Sequence, residues 1–542
     1  MLQMLPAPSR LNTLLKIKRL PLPRRNSLKT SLESKLKAVA GMAFLTVLAL
    51  LVHGYHPYAE DAEIYLPGVL KILNPRLFPT NAEFFLEHAG HTLYPNLIAL
   101  SVRATRLSLP CIALLWQILS IFLLLAASWR LASVLFGIPQ ASRAPGGSET
   151  TDLSYDPSYD PAYFHWGAIA LMSALLTLPL AGTTLYILDQ FLNPRNLAAF
   201  AALFAVAENL DRKYLRAALW LAFAAAVHPF MASFAILFCA WILLLDWGRP
   251  QALGFAIALP FGITLVPPPT AYHEVALRQP AHFILRWEWY EWLGLIAPIV
   301  IFWWLGTWAR RQAAKNLELV SRAMVPFLAV GTCAAIVLSS SVRFEALTRL
   351  QPMRSLAIGY MVLVVIGGGL LGQYWLRNHV WRWALLFLPL GLGMFFAQLS
   401  LFPNSAHVEW PWAHPKNQWA EAFDWIRSNT PPEALFALDP RFMELRGEDE
   451  NGFRARAERG RLADLIKDKG ACSMFPKLST GWAEQIADLQ NFSGFQPEDF
   501  ERLRQKYGVT WAVVRQSDSS SAQEKALECL FSNSTVRVCR IR

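Results

Sequence analysis

Apolar residues fall into long uninterrupted runs over most of the chain and into short periodic stretches near its end. Crossing a bilayer core takes about 20 apolar residues. Eleven candidate runs are legible, near 37–54, 109–128, 165–183, 196–209, 215–230, 231–246, 252–267, 291–308, 323–341, 355–376 and 383–402. The run at 196–209 is short for a span, and the two flanking His228-Pro229 can also be read as one kinked helix, because proline breaks the backbone ladder. From Pro403 the pattern changes. Trp419, Ala422, Phe423 and Ile426 recur at helical spacing within 418–428, and Asn429-Thr430-Pro431-Pro432 ends that helix. Residues 497–507 read as another helix, and 434–438, 510–515 and 535–541 as strands. The expected fold is a multi-pass α-helical membrane protein of about eleven transmembrane helices, with a C-terminal soluble α/β domain packed against the membrane face.

Composition excludes an ordinary soluble protein: of 542 residues 54% are hydrophobic and 16% charged, and mean hydropathy is +0.29. The net charge of +11 does not point to nucleic acid as a partner, because much of the excess (Arg10, Lys16, Lys18, Arg19, Arg24, Arg25, Lys29, Lys35, Lys37) precedes the first apolar run. Such a cluster reads as a cytoplasmic anchor drawn to membrane lipid. A cleaved signal peptide is the rival, but the basic stretch is long and Val52-His53-Gly54 is a poor cleavage site, so the first helix is read as retained. The resulting organisation is a basic cytoplasmic tail at 1–35, a transmembrane domain at 36–402 with a long outside loop at 54–108, and an extracytoplasmic domain at 403–542. The near-repeat Ser154-Tyr155-Asp156-Pro157 and Ser158-Tyr159-Asp160-Pro161 marks a disordered cytoplasmic insertion. Cys529 and Cys539 are either a disulfide across a terminal hairpin or two free thiols.

Candidate chemistry sits beside the crossings. The first outside loop carries Glu60, Asp61, Glu63, Glu83 and Glu87 with His56, His88 and His91, and closes in a stretch at 94–107 with the spacing of a surface helix. An acid there can serve as general base or bind a divalent cation; a solvated charged loop is the competing reading. In the second outside loop Asp189 and Arg195 interrupt apolar sequence, as a substrate site or as an internal ion pair would. Arg278, Arg286, Arg349 and Arg354 lie on outside loops, where guanidinium groups either bind a phosphate or snorkel to headgroups. His228, before a kink proline, is read as structural.

The layout resembles the GT-C superfamily of polytopic glycosyltransferases. It has a basic start, one helix, a long loop opening with acids and ending near His91-Thr92-Leu93-Tyr94-Pro95, a second crossing, and a short second acidic loop. His228-Pro229-Phe230, the stretch from Trp287 to Gly294 and Arg349-Leu350-Gln351-Pro352-Met353-Arg354 look like a bacterial membrane-protein branch with a GT-C-like core. The resemblance implies a bacterial plasma-membrane enzyme that transfers a sugar from a lipid-linked, polyprenyl-phosphate donor to an extracytoplasmic acceptor. Asp61, with Glu60 beside it, would match the first-loop carboxylate, and Asp189 the second; Arg195, Arg278, Arg286, Arg349 and Arg354 would bind substrate. A divalent cation is the candidate cofactor, with unassigned ligands. The second loop holds one acid rather than a pair, which departs from the family pattern. A transporter or flippase, and a noncatalytic membrane-anchored binding protein, are the alternatives.

Overall fold

The computed structural model describes residues 25–136, 160–248, 268–445, 447–518 and 526–542. The chain divides into two compact units, Met1–Phe44 and Leu45–Arg542. Helix α1 (Arg25–His53) is the described element of the first unit and continues into the second. Apart from the start of the segment Glu33–His53, all that follows lies within the second unit.

Among the described residues, seven helical segments are long and apolar enough to cross a membrane: Glu33–His53, Leu109–Phe136, Pro229–Asp246, Trp289–Arg311, Lys315–Ser339, Val342–Leu376 and Val380–Leu401. The expected count of about eleven is therefore not met by the described helices. The run at 252–267 and the repeat before Asp160 lie outside the described residues. The run at 165–183 is corrected: its helix, Pro161–Ala174, has 14 residues. At 1.5 Å per residue that is about 21 Å, short of a core about 30 Å thick. Pro179, which offers no amide hydrogen, lies in the loop that follows and forms a lone bridge with Tyr186. Pro194–Leu210 is a 17-residue helix buried on nearly every side, with Glu208 inside it, so it fills the bundle centre.

Packing explains how the helices approach. Gly167, Gly368 and Gly372 bring Pro161–Ala174 against Leu356–Leu371 backbone to backbone: a Cβ at Gly167 would lie 2.1 Å from the Gly368 carbonyl oxygen. Elsewhere apolar side chains face outward, as on Val380–Leu401, where Val380, Trp381, Leu385, Leu388 and Phe396 are exposed. Water would not stabilise that surface, whereas acyl chains would.

The loop at 54–108 folds into helices α2 (Ala62–Leu73), α3 (Glu83–Gly90) and α4 (Tyr94–Thr105), the last within two residues of its expected end. The C-terminal region is a five-stranded sheet in the order β2-β1-β3-β5-β4, flanked by helices. Strands β1 (Leu435–Leu438), β3 (Trp511–Arg515) and β5 (Val536–Ile541) fall within the stretches read as strands in the sequence. β2 (Gly460–Arg461) and β4 (Leu527–Ser532) were not legible, the first because two residues carry no period and the second because it is an exposed edge. β1 runs parallel to β2 and β3, and β5 antiparallel to β3 and β4. One sheet face packs on Trp419, Phe423 and Ile426, the other on Phe500 and Leu503. Of the two cysteine readings the disulfide holds, joining Cys529 and Cys539 directly across β4 and β5. The first loop and this region interlock through the bridges Tyr55 to Val408 and Ala59 to Asn451.

Candidate functional site

Asp61 stands at the N-terminus of α2, where a carboxylate would ordinarily cap the helix amides, yet its side chain caps none. Glu60 before it adopts a left-handed backbone, φ 56°, and donates its amide to the Glu450 carbonyl. The Asp61 carboxylate turns instead toward two cations: one oxygen accepts from Arg195 at 2.7 Å and the other lies 3.3 Å from Lys467 Nζ. Arg195 reaches Asp189 as well, through Nη2 at 3.0 Å and Nε at 3.2 Å. The two acids of the separate loops therefore meet on one guanidinium.

Asp189 is held from behind by an amide network. Gln117 of the helix Leu109–Phe136 donates to its carbonyl at 2.7 Å, and its own amide donates to Asn196 at 3.1 Å. Asn193 caps the Pro194–Leu210 helix and also donates to the Asp189 carboxylate, which places Arg195 in the first turn beside it. Lys467 pairs with Glu60 in addition to Asp61. Burial alone would raise the Asp61 carboxyl, but the charges of Lys467 and Arg195 hold it well below the usual carboxylate range. Burial and the neighbouring Glu60 push Glu450 up to about 9.

Glu60, Asp61, Asp189, Arg195, Glu450 and Lys467 line a cavity of about 760 Å³. The same cavity is lined by Arg354, His88, His228 and His282. Burial lowers His88 to about 4 and His282 to about 3, so both are neutral at pH 7. Arg354 stacks over Phe230 at 5.4 Å, has no ion-pair partner among the described residues, and keeps a buried Nε without a hydrogen-bond acceptor. His228 accepts the Met231 amide at 3.3 Å, the structural role expected of it, while also lining the cavity.

The expected substrate arginines divide. Arg195 and Arg354 face the cavity; Arg278, Arg286 and Arg349 are not on its wall. Arg278 pairs with Glu274 one turn away, and Arg286 bonds the Leu277 carbonyl and lies over Phe283. Among the loop acids, Glu87 pairs with Lys477, and Glu63 turns into the protein interior. Lys467 and Glu450 were missed, because alternating charges in the C-terminal region carry no signal that singles them out. Among the described residues no group of three or more His, Cys, Asp or Glu side chains is arranged to hold a metal ion. Both oxygens of Asp61 and one of Glu60 already face Lys467 or Arg195, so a divalent cation would meet donors that two protein cations engage, and the donor set does not fit one.

No protein-family profile matches the chain, and no curated protein matches it. Solved structures do align with it, two of an archaeal oligosaccharyltransferase among them. Archaeal oligosaccharyltransferase AglB from Archaeoglobus fulgidus, in complex with an inhibitory peptide and a dolichol-phosphate, aligns with a TM-score of 0.41 and 10% identity over 89% of this chain and 70% of that one. The apo form of the Archaeoglobus fulgidus oligosaccharyltransferase aligns with a TM-score of 0.44 and 11% identity, over 89% of this chain and 69% of that one.

Proposed function

We propose that the chain is a membrane glycosyltransferase that moves a sugar from a polyprenyl-phosphate donor to an acceptor on the extracytoplasmic side of a bacterial plasma membrane. In this reading the apolar helices span the membrane as a bundle, the N-terminus is cytoplasmic and residues 403–542 lie outside. The observation that carries the reading is the meeting of Asp61 and Asp189 on Arg195, at the wall of a cavity that is also lined by Arg354, a guanidinium with no ion-pair partner among the described residues. An anion is the natural complement of Arg354, and a phosphate suits a planar guanidinium better than a point charge does. The cavity has the size of known small-ligand sites, about 300–1,000 Å³.

With two cations against it Asp61 is a poor base. A donor phosphate that draws Arg195 toward itself would weaken that hold and let the carboxylate recover basicity. The acceptor hydroxyl oxygen then bonds the anomeric carbon, the bond from that carbon to the phosphate oxygen breaks with its electron pair leaving on phosphate, and the hydroxyl proton passes to Asp61.

The test is transfer by purified protein in nanodiscs, supplied with a panel of radiolabelled polyprenyl-phosphate sugars. Asp61→Asn should lower the rate by about 10²–10⁴-fold, with fold and detergent-phase monodispersity retained. Wild-type transfer by Asp61→Asn would remove the assigned base. Movement of labelled lipid across a vesicle bilayer without glycosyl transfer would replace the enzyme reading with that of a flippase.

A further inference from the structure

We infer that Lys467, presented by the C-terminal region, stands in for a divalent cation at the cavity carboxylates, so that this site works without a metal ion. The inference rests on the transferase reading for its purpose, but not for its geometry. Lys467 Nζ contacts carboxylate oxygens of both Glu60 and Asp61, the place a bridging cation would take. The second oxygen of Asp61 is taken by Arg195 at 2.7 Å, and Arg195 continues to Asp189. A divalent ion bound through oxygens at about 2.0–2.6 Å needs several of them free, and here it would have to displace an ammonium or a guanidinium.

Charge gives the same answer. Around the two loop carboxylates Asp61 and Glu60 the protein already supplies two cations, Lys467 and Arg195, and Arg195 also reaches Asp189. A divalent ion added beside two fixed cations would meet like-charge repulsion in a partly desolvated site. Lys467 is itself fixed: its amide and that of Ile466 donate to Asp464, and its side chain is 9% exposed. The ammonium thus arrives on a braced turn, and the C-terminal region completes a site whose acids belong to the membrane-side loops.

The probe is Mn²⁺ alone, titrated into the full-length protein at pH 7 with free Mn²⁺ followed by electron paramagnetic resonance and thermal unfolding read in parallel. Wild-type protein should bind no stoichiometric Mn²⁺ up to millimolar concentration, and prior treatment with EDTA should leave its midpoint unchanged. Lys467→Met should bind one Mn²⁺ at least tenfold more tightly than wild type and rise in midpoint with the ion, and the K467M/D61N double variant should lose both effects. One Mn²⁺ bound by wild type and lost in Asp61→Asn would overturn the inference, as would a folded Lys467→Met without binding. Should Lys467→Met fail to fold, the wild-type and Asp61→Asn titrations decide alone. A protein that follows this binding pattern but transfers no sugar would sink the transferase reading and leave the Lys467 assignment standing.

Discussion

Glu60 and Glu63 sit three positions apart on either side of the start of α2, and both meet basic residues of the C-terminal region, yet their surroundings differ. Glu63 is fully buried, with Arg461 at 2.9 Å, Arg454 at 3.5 Å and the Ala455 amide at 3.2 Å. Arg454 is closed off in turn by both oxygens of Asp468, and Arg461 by Asp464. Glu60 keeps 41% of its side chain exposed and belongs to a cluster that faces the cavity. The sealed cluster saturates its carboxylates with protein groups and holds the first loop to the C-terminal region. The open one offers a ligand a place to compete for its cations. Residue type is the same in both; access to the cavity separates a brace from a site.

The largest effect should come from breaking the brace. Glu63→Ala leaves Arg461 short of a partner inside the protein, and removing one member of a buried pair costs about 3–5 kcal/mol. Thermal unfolding in detergent should register a large fall in midpoint or loss of folded protein; an unchanged midpoint would mean that the sealed cluster is not a brace.

A smaller effect, specific to the open cluster, is its dependence on pH. Glu450 in the folded protein is pushed up to about 9, above its unfolded value, so its contribution to stability is present below about pH 4.5 and lost as pH rises toward about 9. Asp61 is held low and acts in the opposite sense, its contribution being lost as pH falls below its ordinary value near about 4. Glu450→Gln should therefore flatten the decline in unfolding midpoint between pH 5 and pH 9; a decline as steep as that of wild type would assign it to other groups.

The smallest effect tests the arginines that miss the cavity. Arg278→Ala removes an exposed pair one helical turn apart and should change stability by less than about 0.5 kcal/mol, with transfer unaffected. Arg354→Ala in the same assay should raise KM for the donor. Equal losses from both variants would erase the distinction between wall and surface.

Some of this was readable from the chain. Asp61, Asp189 and Arg195 were selected because ionisable residues beside apolar runs stand out, and they do meet on one cavity wall. Arg278, Arg286, Arg349 and Arg354 carried equal weight in sequence, since each is an arginine in a polar connection. Only Arg354 faces the cavity, where the chain turns at Gln351 with a left-handed φ of 42°. The run at 165–183 looked like a crossing because composition counts apolar residues and not backbone hydrogen bonds, and its helix stops at Ala174.

The sequence alone determined the apolar helices, the strands β1, β3 and β5, and the concentration of acids after the first helix, because periodicity and composition act between residues close along the chain. The tertiary structure decided which charges belong together. Asp61 meets Arg195 across 134 positions, and Glu60 meets Lys467 across 407. Contacts at such separations leave no local pattern, since they depend on how packed elements present side chains to a shared space rather than on neighbours in the chain.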